Sequence, residues 1–143
     1  MSDRVGLDLF VREDFETFVG RFPGVTIVHQ WGNASVAKVG GKLFAIFCRW
    51  RRSGDWHVAF KCSPLSFVML QEMEGIMPAP YLARAQWVDV APLNGLSQDE
   101  LAAYVGNAHR LIAHKLTRAA KRELGLDAYL ASASELSADE GRS

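Results

Sequence analysis

Five basic side chains, Arg110, Lys115, Arg118, Lys121 and Arg122, stand in one stretch of the chain that holds no carboxylate. Earlier, Lys42, Arg49, Arg51, Arg52 and Lys61 are opposed only by Asp55. Cations spread over several residues can neutralise successive phosphates of a nucleic-acid backbone, the main source of sequence-independent affinity in such complexes. The whole chain balances 16 Lys and Arg against 16 Asp and Glu. A neutral total therefore hides two basic blocks, and local fields rather than net charge would steer an anionic partner. A second reading needs no ligand, because cations near a helix C-terminus complement its dipole.

Other chemistries leave weaker traces. No serine sits in a glycine elbow, no His-Glu-x-x-His occurs, and the spaced glycines of a phosphate loop are missing. Gly40-Gly41-Lys42 reads as a turn. His29, His57, His109 and His114 have no metal-ligand spacing with either cysteine and read as surface histidines. Cys48 and Cys62 are too few for a disulfide framework and read as buried, reduced thiols. Neither a catalytic residue, a metal nor a cofactor is expected. Tyr81 is a separate candidate. Pro78-Ala79-Pro80-Tyr81 stiffens a loop around an aromatic with a polar tip, either capping the core or contacting a ligand.

The elements that must position these residues follow from pattern. At 143 residues the chain is expected to form one domain, about 1–130, with a frayed or disordered tail over 131–143 rich in Ser, Ala and acids. No apolar run approaches a membrane span and the N-terminus lacks a signal pattern, so a cytoplasmic protein is expected. A helix is expected over about Glu13–Arg21, ending at Pro23-Gly24. Strands are expected over Val25–Trp31, Ser35–Val39, Leu43–Arg51, Trp56–Cys62 and Trp87–Val90, with a two-residue turn at Gly40-Gly41. Ser63-Pro64 starts a helix reaching about Met73, and Ile76–Gln86 reads as loop. Ser97 and Glu100 form a capping box for a long helix that stops at Gly125.

Parity sets two further expectations. If Arg51 lies opposite Asp55, then Phe44, Ile46, Cys48 and Trp50 share a buried face with Trp56, Val58, Phe60 and Cys62. Trp50 and Trp56 then become neighbours, and Arg49, Arg51, His57 and Lys61 face solvent. On the long helix, Leu101, Val105, Ala108, Ile112, Leu116 and Ala119 make one apolar stripe, with the cations outward. Trp31 and Trp87 would seal the ends of the sheet.

The punctuation carries a resemblance. Phe22-Pro23-Gly24-Val25, Trp31-Gly32, Val39-Gly40-Gly41-Lys42-Leu43-Phe44-Ala45, Pro78-Ala79-Pro80-Tyr81-Leu82-Ala83, Trp87-Val88 and Lys115-Leu116 resemble the MmcQ/YjbR family from about Phe15 to Gly125. The resemblance implies a CyaY-like, double-wing α+β fold, a single domain whose antiparallel sheet is packed on one face by helices. It also implies a non-enzymatic DNA-binding role of a regulatory kind. Arg49, Arg51, Arg52, Lys61, Arg110, Lys115, Arg118, Lys121 and Arg122 would then touch phosphates. The alternative is a small-molecule or protein-binding domain using the open sheet face and the Tyr81 loop. Frataxins, which share the fold, bind iron through an acidic first helix. Here Asp8, Glu13, Asp14 and Glu16 are interspersed with Arg12 and read as a solvated face. The chain departs from the family pattern at Ala34-Ser35-Val36-Ala37 and at Thr117-Arg118-Ala119-Ala120. These departures bear on any shared pocket at that strand and on where the charge is placed.

Overall fold

Proline and glycine decide where the first helix stops. The segment Arg12–Val19 (α1) buries Phe15 and Val19, then turns through Phe22-Pro23 to Gly24, which takes φ 74°. The computed structural model describes residues 6–49 and 54–131. Trp50, Arg51, Arg52 and the tail from 132 onward, each assigned a part by sequence, lie outside the described residues.

Six strands form one antiparallel sheet: β1 (Val25–Gln30), β2 (Ala34–Val39), β3 (Lys42–Cys48), β4 (His57–Lys61), β5 (Ile76–Pro78) and β6 (Trp87–Val90). Their order is β1-β2-β3-β4-β6-β5. Between β2 and β3, Gly40 and Gly41 take φ 60° and 81°, which two successive residues of a tight hairpin turn of this hand require. The segment Ile76–Gln86 is not all loop. Its first three residues pair with β6 as an edge strand, and Pro78 is tolerated there because an edge strand can lack a ladder donor.

Helices α2 (Pro64–Leu70) and α3 (Gln98–His114) join α1 on one face of the sheet. The caps form as the sequence indicates. Ser63 accepts from Ser66 N–H, and Ser97 with Glu100 makes the reciprocal capping box. α2 stops at Leu70, short of Met73. The single long helix reaching Gly125 is corrected too. α3 ends at His114, Thr117 caps a new helix α4 (Arg118–Glu123) through Ala120 N–H, and residues 127–131 are helical again. A threonine that captures a free N–H offers the backbone an alternative to continuing the helix. The break lets Leu116, Leu126 and Leu130 all reach the core, whereas Ala119, placed on the same stripe by periodicity, is exposed.

Register in the β3–β4 pair differs from the expectation by one residue. Cys48 lies opposite His57, Phe47 opposite Val58 and Ala45 opposite Phe60. A bulge is the cause. Ala37 pairs with Ala45 and Lys38 with Leu43, which leaves Phe44 as the extra residue. Strict alternation fails there, so Phe44 joins Ala45 and Phe47 against the helices. Ile46 and Cys48 turn to the second face. That face is covered as well: Ala34, Val36, Ile46, Cys48, Ala59 and Trp87 pack with Ala79 and Leu82 of the β5–β6 connection. A slip that would turn apolar residues to water in a one-sided sheet here delivers them to a second, smaller core. Trp56 is half-buried and stacks on Phe47 at 5.0 Å, and Trp87 is buried within the second core rather than at a sheet end.

Candidate nucleic-acid interface

Strand direction sorts the loops into two ends. At one end lie the Gly40-Gly41 turn, the start of β1, the close of β4 and the β5–β6 connection. This is the glycine-turn end. At the other lie the β3–β4 hairpin, the β1–β2 turn and the starts of α1 and α3. This is the hairpin end. The ends are separated by the length of β3, roughly 20 Å at about 3.4 Å per residue.

The cations that follow α3 lie at the glycine-turn end because Leu116 packs directly on the turn. A Cβ at Gly40 would come within 2.7 Å of Leu116 Cδ1, and the backbone there takes φ 60°, which favours glycine. Leu124, at the far end of α4, lies against Gly24 just before β1. Lys115, Arg118, Lys121 and Arg122 are thereby held between two contacts with the same edge of the sheet. Lys42 begins β3 beside them, and Arg84 sits in a 3-10 turn (Ala83–Ala85) within the β5–β6 connection. Among the described residues, none of Lys42, Arg84, Lys115, Arg118, Lys121 and Arg122 is in an ion pair. Two of these charges act on neighbouring basic groups. Burial together with the charges of Lys121 and Arg110 holds the His114 imidazole below its ordinary value. Lys61 is lowered likewise, by burial and then by Lys115.

The individual basic residues fare differently. Lys61, expected on a solvated face, is only 7% exposed, and its ammonium donates to the Ala85 carbonyl and to Gln86 Oε1 at 3.3 Å. Its role here is to pin the β5–β6 connection to β4. Parity along β4 places it on the second face as the sequence indicates, but that face is covered by the connection rather than open to solvent. Arg110 is half-buried and donates to Asn107 Oδ1 at 3.2 Å. Arg49 is exposed, yet its guanidinium rests over the Trp56 ring at 4.9 Å at the hairpin end. The sheet's length therefore separates Arg49 from Lys42 and Lys61 of its own block, which lie at the glycine-turn end. Sequence reasoning missed Arg84 as a member of the cationic end. Only the β5–β6 pairing carries it there, and its neighbours in the chain are apolar.

Tyr81 does not cap the core: it is 96% exposed and takes φ 68°. Trp31 is 56% exposed in the β1–β2 turn rather than sealing an end.

Two histidines read as surface residues are instead structural. His109 is fully buried between Phe22 and Phe44. Its Nε2–H donates to the Pro23 carbonyl at 3.0 Å, so neutral Nδ1 accepts from the Tyr129 hydroxyl at 3.0 Å. Burial lowers its pKa and favours that neutral form, with the Pro23 bond opposing. On the second face, half-buried His57 donates from Nδ1 to Asp89 Oδ2 at 2.6 Å. Cys48 lies opposite His57, giving a Cys-His-Asp row across three strands. Burial and the charge of Asp89 push the Cys48 thiol far above its ordinary value, so this row holds a protonated sulfur and no ready nucleophile. Among the described residues, no three His, Cys, Asp or Glu side chains gather to hold a metal ion, and no helix is long and apolar enough to cross a membrane.

The hairpin end is built from mutual satisfaction. Arg12 donates to Ser35 Oγ at 2.7 Å and lies over the rings of Trp56 (4.6 Å) and Phe47 (5.3 Å). Ser35 and His29 both meet Glu16 Oε2. Burial raises the Glu16 carboxyl, but the bonds from Ser35 and His29 and the charge of Arg12 outweigh it and leave it below 4.5.

The YjbR family model matches residues 20–111, which takes in the whole sheet and most of α3. The chain belongs to the YjbR family. Its fold is also that of a Deinococcus radiodurans protein with a DUF419 domain, known from a crystal structure. That protein is 20% identical with TM-score 0.69, and the match covers 80% of this chain and 88% of that one. A Pseudomonas syringae protein of known structure is 18% identical with TM-score 0.57, over 70% of this chain and 97% of that one. No curated protein matches the sequence. The α+β expectation, with an antiparallel sheet and helices on one face, thus holds for this YjbR chain.

Proposed function

We propose that this YjbR protein is a non-enzymatic nucleic-acid-binding module that engages phosphates through its glycine-turn end. The carrying observation is the gathering of Lys42, Arg84, Lys115, Arg118, Lys121 and Arg122 on one edge without an internal ion pair among the described residues. Like charges gathered on one edge repel one another, and an anion bound there would relieve the repulsion. The protonated Cys48 thiol beside His57 and Asp89 supports the non-enzymatic half of the reading.

DNA is the natural first probe. Titration of the full chain into labelled duplex and single-stranded DNA across a salt series should show binding that weakens steeply. Each phosphate neutralised adds about 0.9 to the magnitude of the log–log slope on duplex and about 0.7 on single strands. Binding no stronger than that of a neutral control protein would overturn the proposal.

A further inference from the structure

We infer that the ligand of the glycine-turn end is single-stranded nucleic acid, with Tyr81 as the platform on which a base stacks. This rests on the phosphate-binding role proposed above and adds the class of ligand.

Three independent features of the β5–β6 connection lead there. Tyr81 is 96% exposed, an unusual position for so large an aromatic. Its backbone sits at φ 68°, a region non-glycine residues visit rarely and that is retained when the surroundings enforce it. The surroundings do enforce it. Ala79 N–H donates to the Trp87 carbonyl, Cys62 N–H to the Gln86 carbonyl, and the buried Lys61 ammonium to the Ala85 carbonyl. Pro80 fixes the residue just before the tyrosine. A ring held outward by a pinned loop loses little entropy on stacking.

The same connection closes the cationic end. β6 starts at Trp87 opposite Lys61, and Lys115 stands near enough to lower the Lys61 pKa. Cations that follow a backbone beside an exposed aromatic are the combination that single-strand binding uses, because an unpaired base offers its π-face and a paired base does not. Duplex recognition finds less here. α4 has only six residues, α3 is spent on the sheet, and Arg49 is at the opposite end against Trp56.

The test uses the full chain, a short labelled oligothymidine and a duplex of equal length at low salt. The single strand should bind tighter than the duplex. Tyr81→Ala should weaken single-strand binding about 5- to 100-fold, as loss of one stacked base does. Tyr81→Phe should restore it, the salt slope should not change, and duplex binding should be indifferent to either substitution. Thermal midpoints equal to the parent would show that the exposed position was changed without harm to the fold. If Tyr81→Ala leaves single-strand affinity intact, or duplex binds as well as single strand, the inference fails while phosphate binding stands. If neither nucleic acid binds, both fail together.

Discussion

The two ends of the sheet use the same kind of residue in opposite ways. At the hairpin end, Arg12 and Arg49 flank Trp56, and Arg12 also bonds Ser35 beside Glu16 and His29. The acids Asp8, Asp14, Asp99 and Glu100 gather near the starts of α1 and α3 at this same end, where helix N-termini favour them. At the glycine-turn end, six cations share one edge with no carboxylate in contact among the described residues. One end uses its charges within the fold; on the proposed reading the other holds them for an external anion. The lesson is that a basic block in sequence is a functional signal only after its side chains' partners are known.

Breaking the hairpin end should damage stability and spare binding. Phe47 is buried, stacks on Trp56 and lies under Arg12. Phe47→Ala should cost about 3–5 kcal/mol, read as a lower urea midpoint, with nucleic-acid affinity per folded molecule unchanged. A parallel loss of affinity would show that the two ends are not separate in function.

The glycine-turn end should behave in reverse. Replacing Arg118 and Lys121 together by Gln should lower the magnitude of the single-strand salt slope by up to about 1.4 and weaken binding about tenfold or more at 0.1 M salt. The thermal midpoint should hold, since neither side chain lies in the core. Arg49→Gln is the sharpening control. It should leave the salt slope alone and cost only what one exposed cation–π contact is worth, about 0.5–1 kcal/mol. Equal effects on slope from the two ends would restore a shared phosphate surface.

The smallest expected effect is a pH dependence between the ends, at His109. Its folded pKa is lowered, so the unfolded chain takes up a proton that the folded chain does not. The contribution is present in full above the ordinary value of 6.5 and is lost as pH falls below it, toward the folded value. Chemical denaturation from pH 7.5 to 5.5 should therefore show stability falling, and His109→Gln should flatten part of that slope even though it is less stable at pH 7.5. An unchanged slope in the variant would assign the dependence to other groups.

Much of the architecture could be read without coordinates. Ser63-Pro64, Ser97 with Glu100, and Gly40-Gly41 each specify their cap or turn through a local hydrogen bond or a φ that neighbours cannot alter. The errors fell where a distant element intervenes. Phe44 bulges out of β3, and the connection carrying Ala79 and Leu82 supplies a second core, so alternation along β3 gave the wrong register. The same connection covers the face of Lys61 and gives it a buried bond with Ala85 in place of solvent. His109 looked like any helical histidine until Pro23 and Tyr129 arrived from 86 and 20 residues away.

Of the candidate site, sequence by itself determined which residues are cationic, that they recur in two blocks, and that Tyr81 stands in a proline-stiffened loop. These are properties of residue type and near spacing, and folding does not change them. Tertiary structure alone decided that Arg49 parts from Lys42 to the opposite end, that Arg84 joins the cationic end and Lys61 is withdrawn from it, and that Tyr81 is exposed. Strand order, a single bulge and the break at Thr117 fix these outcomes. Each depends on which surfaces are buried together, a long-range free energy that no short window of sequence contains.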